Sequence, residues 1–311
     1  MSEPLKVCDR EIKIQGKLLR IARIQGDKYR FLSDPEPLIE GLKKCGERID
    51  IFTFIQKLPE TGTVAEPKFR YPMEWDNFAA LPLTTFDDWW TKTIGFKARN
   101  KAKQAEKKGV VLRELPFDDA LIQGIWEIYN ECPIRQGRPF SHFGEDIETV
   151  RRIEAPFLDS SVFIGAFLEG KMIGFVKLVI DETRMQAGLM NIVSMVSQRD
   201  KAPTNALIAH SVRACASRGI RYLVYSNFAY GKKERSSLSD FKEANGFQKI
   251  DVPRYYVPLT LMSEAALGLG LHRGVSHFVP EPILERLREF RKSWYTRKLQ
   301  TEPKLEANVS S

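Results

Sequence analysis

Three apolar segments in close succession, followed by a helix and then a fourth apolar segment, leave few ways for residues 161–228 to fold. The run "SVFIGAFLEGKMIGFVKLVID" divides at Glu169-Gly170-Lys171 into two strands of a hairpin, with glycine at the turn. "GLMNIVSMVS" continues the meander as a third strand, antiparallel to the second. The helix expected from Thr204 to Arg218 carries Ile208, Val212 and Cys215 on one side and stops at Gly219. A full helix then separates the third strand from "IRYLVYSN", so that strand must run parallel to it. A further helix, "SSLSDFKEANGF", and two closing strands, "FQKIDV" and "RYYVPL", complete the unit. The pattern predicts a mixed α/β (α+β) fold: a mostly antiparallel twisted sheet flanked by helices.

The first half reads in the same terms. "EIKIQGKLLRIARIQGDKYRFLSD" forms hairpin strands with turns at Gly16 and Gly26-Asp27. A helix follows with Leu38, Ile39, Leu42 and Cys45 at helical spacing, then a short strand. Residues 59–72 are a polar connection, and "NFAALPLT" is another strand. Thr85 caps a helix in "FDDWWTKTIGF", with Asp87 and Asp88 in its first turn. The next helix turns Phe96, Ala98, Ala102 and Ala105 inward and ends at Gly109. "VVLRELP" is a strand, and "FDDALIQGIWEIYNEC" a helix with Leu121, Ile125 and Ile128 on one face.

Charge is concentrated rather than spread. The chain has 311 residues and a net +8, yet residues 97–113 alone carry +6. Such a face is either a solvated helix surface or an attraction for phosphates of a coenzyme, a nucleic acid or a lipid. The start of the chain lacks the apolar core of a signal peptide, and no apolar run reaches the roughly 20 residues needed to cross a bilayer. The four cysteines and four histidines show no metal-ligand spacing, so no metal is expected and a reducing cytoplasm is the expected compartment.

Taken in order, the hairpin "GAFLEGKMIGF", the loop-to-helix at Ser197–Ala209 and "FKEANGF" resemble the GNAT acyltransferase fold. Within it, "DDWWTKTIGFKARNKAKQAEKKGVVLREL" followed by "LSDFKEANGF" is similar to the Fem-type peptidyltransferases and other FemAB-like proteins. The resemblance implies an N-terminal partial GNAT-like lobe (residues 1–95), a transferase unit (96–260), and a C-terminal basic helix and tail (261–311). The chain lacks the long helical pair that some Fem-type enzymes carry as an arm.

In GNAT enzymes the pyrophosphate of acyl-coenzyme A rests on backbone N–H groups after the third core strand, in a Q/R-x-x-G-x-G/A loop. The matching run here contains Gln198, Arg199, Lys201, Thr204, Asn205 and Ala206, without a glycine. Pro203 suits the first helical position, leaving the amides of Thr204, Asn205 and Ala206 for an anion. Arg199 and Lys201 supply charge where glycine geometry is missing.

Many GNAT enzymes protonate the leaving group with a tyrosine in the last core helix, where this chain has Phe241. Tyr225 and Tyr230, at the end of the parallel strand, are the substitutes. The resemblance places Lys242, of the Phe-Lys pair, near substrate phosphates. The loop "CPIRQGRPFSHFGED" reads as an acceptor-side lid, with Arg135, Gln136 and Arg138 for an anionic acceptor and His142 as a base. "EPILERLREFRKSWYTRKL" is an amphipathic basic helix with Ile283, Leu287, Phe290 and Trp294 on one stripe. It docks on the protein's own surface or attaches peripherally to an acidic face of the inner membrane.

The implied activity is N-acyl transfer from acetyl-CoA or another acyl-CoA to a small-molecule or peptidyl amine. The alternatives are transfer from aminoacyl-tRNA, and a non-catalytic module that binds nucleic acid or a membrane surface.

Overall fold

The computed structural model describes residues 5–135, 137–229 and 236–274, together with Arg286. Strands β1 (Leu5–Val7), β2 (Arg10–Gln15) and β3 (Ile21–Ile24) form an antiparallel edge. Helix α1 (Glu36–Lys44) buries Leu38, Ile39 and Leu42 and crosses back to β4 (Ile51–Ile55), which lies parallel to β3. After a long connection comes β5 (Met73–Pro82), then α2 (Phe86–Asp88), which the Thr85 side chain caps through the Asp88 amide.

The second half runs α3 (Phe96–Lys107), β6 (Val111–Leu115), α4 (Asp119–Asn130), the two-residue strands β7 (Ile134–Arg135) and β8 (Arg138–Pro139), and α5 (Ile147–Glu154). Strands β9 (Ser161–Leu168), β10 (Lys171–Ile180) and β11 (Gln186–Ser194) are the expected meander. Helix α6 (Pro203–Ser217) crosses to β12 (Tyr222–Asn227), parallel to β11. Then follow α7 (Ser237–Ala244), β13 (Gln248–Pro258) and α8 (Leu261–Gly268).

Among the described residues eleven of these thirteen strands form one sheet, ordered β1-β2-β3-β4-β13-β5-β12-β11-β10-β9-β6, while β7 and β8 pair only with each other. The fold class is as expected. Each half keeps a core of its own: Ile24, Leu38, Phe52 and Tyr255 on one side, Ile125, Phe175, Leu207 and Leu223 on the other.

Three local expectations are corrected. "FQKIDV" and "RYYVPL" are not two strands but the single β13, which pairs with β5 from Gln248 to Tyr255 and with β4 only from Arg254 onward. Pro253 therefore sits before the second ladder starts, where a missing N–H breaks nothing on the β4 side. The helix after Thr85 widens into a π-turn at Trp89–Thr93, which turns Trp89 inward to donate from Nε1 to the Asn245 carbonyl at 2.9 Å. Phe96 is 73% exposed instead of buried. The inner face of α3 is made by Ala98, Ala102 and Ala105, small enough for α3 to lie directly against α6.

Candidate functional site

Strands β11 and β12 pair only through Gln186–Tyr222, Ala187–Leu223 and Gly188–Val224. Beyond those pairs each follows its other neighbour, β11 along β10 to Ser194 and β12 along β5 to Asn227. Both strands carry an irregularity at this point. The β10–β11 register steps from Lys177–Asn191 to Leu178–Leu189, leaving Met190 as the extra residue, and the β12–β5 register steps between Val224 and Asn227. A parallel pair that opens halfway exposes main-chain groups on both walls, so this wedge is where the sheet can receive a ligand.

On the β11 wall the chain enters a turn at Val196–Lys201 and then α6. Ala202 takes a left-handed φ of 54°, and Pro203 is the first helical residue. Of the three amides expected to be open, Ala206 is bonded to the Ala202 carbonyl at 3.4 Å. Those of Thr204 and Asn205 make no hydrogen bond among the described residues. The Thr204 hydroxyl pairs with that of Ser194 at 3.0 Å, tying the strand end to the helix start.

The surrounding charges are partly committed. Lys201 pairs with Asp200 at 2.6 Å, and Lys108 of α3 reaches the same carboxylate at 3.2 Å. Gln104 and Lys108 also donate to the Asp200 carbonyl, so the basic helix props the turn directly. Arg199 is exposed and Gln198 half-buried. Glu131 accepts from the amides of Val196 and Ser197 at 2.8 and 2.7 Å. Burial alone would raise its carboxyl, but these donors hold it below the usual range.

The loop read as a lid turns part of its chemistry inward. Arg135 donates to the carbonyls of Ser194 and Ile128 and lies 3.5 Å from Glu131, which joins the loop to the end of β11. His142 is half-buried and stacks on Tyr129, ring centroids 4.7 Å apart. Arg138 is exposed. Gln136, Tyr230 and the stripe Ile283, Leu287, Phe290 and Trp294 lie outside the described residues.

On the β12 wall, Lys242 of α7 is fully buried. Its ammonium donates to the Asn227 carbonyl and stands 4.8 Å from the centroid of the Tyr225 ring. Burial, and then the charge of Lys28, bring its pKa down to about 8. Tyr225 packs on Phe247, and Phe241 is half-buried against the core. Sequence reasoning missed Lys28, whose ammonium reaches Ser226 Oγ at 3.0 Å and Asn227 Oδ1 at 2.9 Å. Nothing in "GDKYRF" marks it out, because its partners are 198 and 199 residues away along the chain.

The chain matches no protein-family model and no curated protein. It is similar in structure to the C-terminal DUF2156 domain assigned to a lysylphosphatidylglycerol synthetase of Agrobacterium fabrum (TM-score 0.54, 14% identity, 84% of this chain and 83% of that one). FemX matches with a TM-score of 0.52 at 11% identity, over 78% of this chain and 83% of the other. The L-PGS of Bacillus licheniformis matches with a TM-score of 0.51 at 14% identity, over 79% and 80%. At such identities the likeness establishes the fold alone, one shared with these synthetase structures and with FemX. No helix among the described residues is long and apolar enough to cross a membrane.

Proposed function

We propose that this GNAT-fold chain transfers an acyl group from an activated, anionic carrier to an amine at the β11–β12 wedge. The observation that carries this reading is the pairing of two unbonded amides, Thr204 and Asn205, on one wall with a buried lysine, Lys242, on the other. Acyl-CoA is the preferred donor. Its pyrophosphate would take the two amides at the positive end of α6, with Arg199 and Gln198 alongside.

Transfer then needs an aligned carbonyl, removal of the ammonium proton and protonation of the leaving thiolate. His142, with Arg135 and Arg138 on the same loop, is assigned the acceptor side, where it takes the proton. The amine attacks the carbonyl, a C–N bond forms, the C–S bond breaks, and Tyr225 protonates the departing sulfur. The surplus proton on the new amide nitrogen returns to the tyrosine oxygen. Lys242, over the Tyr225 ring, stabilises the negative charge that builds during this step.

One observation favours a second donor. Helix α3 touches the cradle through Gln104 and Lys108 while Lys97, Lys101, Lys103 and Lys107 remain exposed, a surface suited to the backbone of an aminoacyl-tRNA. FemX, the lysylphosphatidylglycerol synthetase domain and the L-PGS structure share this fold, which supports an aminoacyl donor with a lipid or peptidyl acceptor.

Calorimetric titration separates the donors. Saturable binding of acetyl-CoA, weakened at least about 10-fold by Thr204→Pro, supports the first. Binding of tRNA that weakens steeply with salt, and is lost when Lys101, Lys103 and Lys107 are neutralised, supports the second. Absence of both would overturn the transferase reading and leave a non-catalytic module.

A further inference from the structure

Lys28 approaches the wedge from the opposite half of the molecule, in the turn that leaves β3. Every residue around it is seated. Gly26 has φ +72°, and a Cβ there would lie 2.4 Å from the Phe157 ring. The Asp27 carboxylate pairs with Arg254 at 3.0 Å. The Tyr29 ring covers Gly188, where a Cβ would come within 2.1 Å of it, and Gln186 Nε2 donates to the Lys28 carbonyl at 3.1 Å. Gln186 and Gly188 open and close the three pairs that join β11 to β12, so the turn is registered against the base of the wedge.

Asn227 is the shared partner. Its side-chain oxygen accepts from Lys28 while its main-chain oxygen accepts from Lys242. The preceding residue, Ser226, holds a left-handed φ of 48°, an unfavourable conformation for a non-glycine residue. It is maintained by Lys28 on Ser226 Oγ and by Asn77, whose carbonyl and Oδ1 accept from the amides of Phe228 and Ala229. Without Lys28, neither the kink nor the aim of the Asn227 carbonyl has its anchor on that side.

We propose that Lys28 is a positioning residue of the site: through Ser226 and Asn227 it fixes the carbonyl that holds Lys242, and it brings a second positive charge to the wedge from the other lobe. The role in transfer rests on the reading of the wedge as reaction centre; the coupling of the two lysines does not. The groups facing the pair are Asp27 of the turn, Asp76 of β5, Arg254 of β13, Arg23 of β3 and Tyr225 of β12, with Asp240 and Glu243 exposed on α7. Burial lowers the pKa of Lys28; the two aspartates oppose that shift and the two arginines add to it.

Side-chain NMR of protein labelled with 15N-lysine tests the coupling directly. The Lys242 signal, assigned by its loss in Lys242→Arg, should titrate near 8 in the wild type. In Lys28→Met its midpoint should move upward, on the order of half a unit, because a neighbouring like charge is gone. Lys28→Arg should keep it low, and Lys177, buried elsewhere in the core, should not move in either variant. An unchanged Lys242 midpoint in Lys28→Met, or an equal shift in Lys28→Arg, overturns the proposal. If Lys28→Met does not fold, Lys28→Gln removes the charge while keeping a donor for Ser226. Failure of wild-type protein to bind acetyl-CoA or tRNA, with the titration as expected, would sink the transferase reading and leave the lysine pair standing.

Discussion

Lys177 and Lys242 are both fully buried, and burial brings the pKa of each down to about 8, yet they sit in very different surroundings. Lys177, in the middle of β10, donates to the carbonyls of Glu154 and Pro156, closing the end of α5. The Glu154 carboxylate in turn accepts from Tyr129 at 2.7 Å and Asn191 at 2.8 Å. This is a clasp between helix and sheet, surrounded by core. Lys242 instead lies where two strands separate, beside a strained residue and within the field of a second lysine. Burial and a shifted proton affinity alone do not distinguish a structural ammonium from a functional one. Under the proposed function, the distinction comes from their placement relative to the opening between β11 and β12.

The comparison is open to a direct test. The largest stability effect belongs to Lys177→Met: two buried carbonyls lose their donor, and unfolding free energy should fall by about 3 kcal/mol in urea melts, with donor binding intact. The same variant changes the pH profile. A lysine whose folded pKa lies below its unfolded value near 10.5 makes the protein more stable as pH rises from about 8 toward 10, and that gain is lost as pH falls through 8. Part of this rise should be missing in Lys177→Met. A variant with wild-type stability and slope would show that the clasp is not closed in solution.

Lys242→Met should do the reverse. Turnover is expected to drop about 100-fold, some 2.7 kcal/mol of transition-state stabilisation, with a smaller loss of stability than in Lys177→Met. Should stability collapse while the residual folded enzyme turns over normally, the two lysines would belong to one structural class. Thr204→Pro removes one of the two open amides, and acetyl-CoA affinity should fall at least about 10-fold, or 1.4 kcal/mol. An unchanged calorimetric isotherm would move the donor elsewhere. The smallest effect is expected from Gly188→Ala, which pushes Tyr29 off the base of the wedge. It should cost about 1 kcal/mol and displace the Lys242 titration in the same direction as Lys28→Met. A Lys242 signal that ignores it would show that the turn bearing Lys28 is seated without help from Tyr29.

Much of the architecture was legible because its signals are local. Alternating apolar runs, the glycine at 170 and the helical spacing of Ile208, Val212 and Cys215 each act within a few residues of themselves. Where the reading failed, the competing term was tertiary. The segments on either side of Pro253 read as two strands, but Val252, Pro253 and Arg254 all pair with β5, and the β4 ladder begins only at Arg254. Phe96 reads as core, but three alanines already fill that face of α3. At the site, Pro203 and the two open amides follow from helix-end chemistry. The capture of the Ala206 amide and the commitment of Lys201 and Arg135 to protein partners do not.

By its own order of residues the chain determined a meander, a crossover and a helix start with donors to spare, since those depend on backbone preferences that neighbours a few positions apart can impose. Which lysine stands beside the parting of two strands, and which clasps a helix to the sheet, was decided only by the assembled sheet. Lys28, Asn227 and Lys242 come from separate stretches of sequence, and their coupling exists only at the short distances that folding creates.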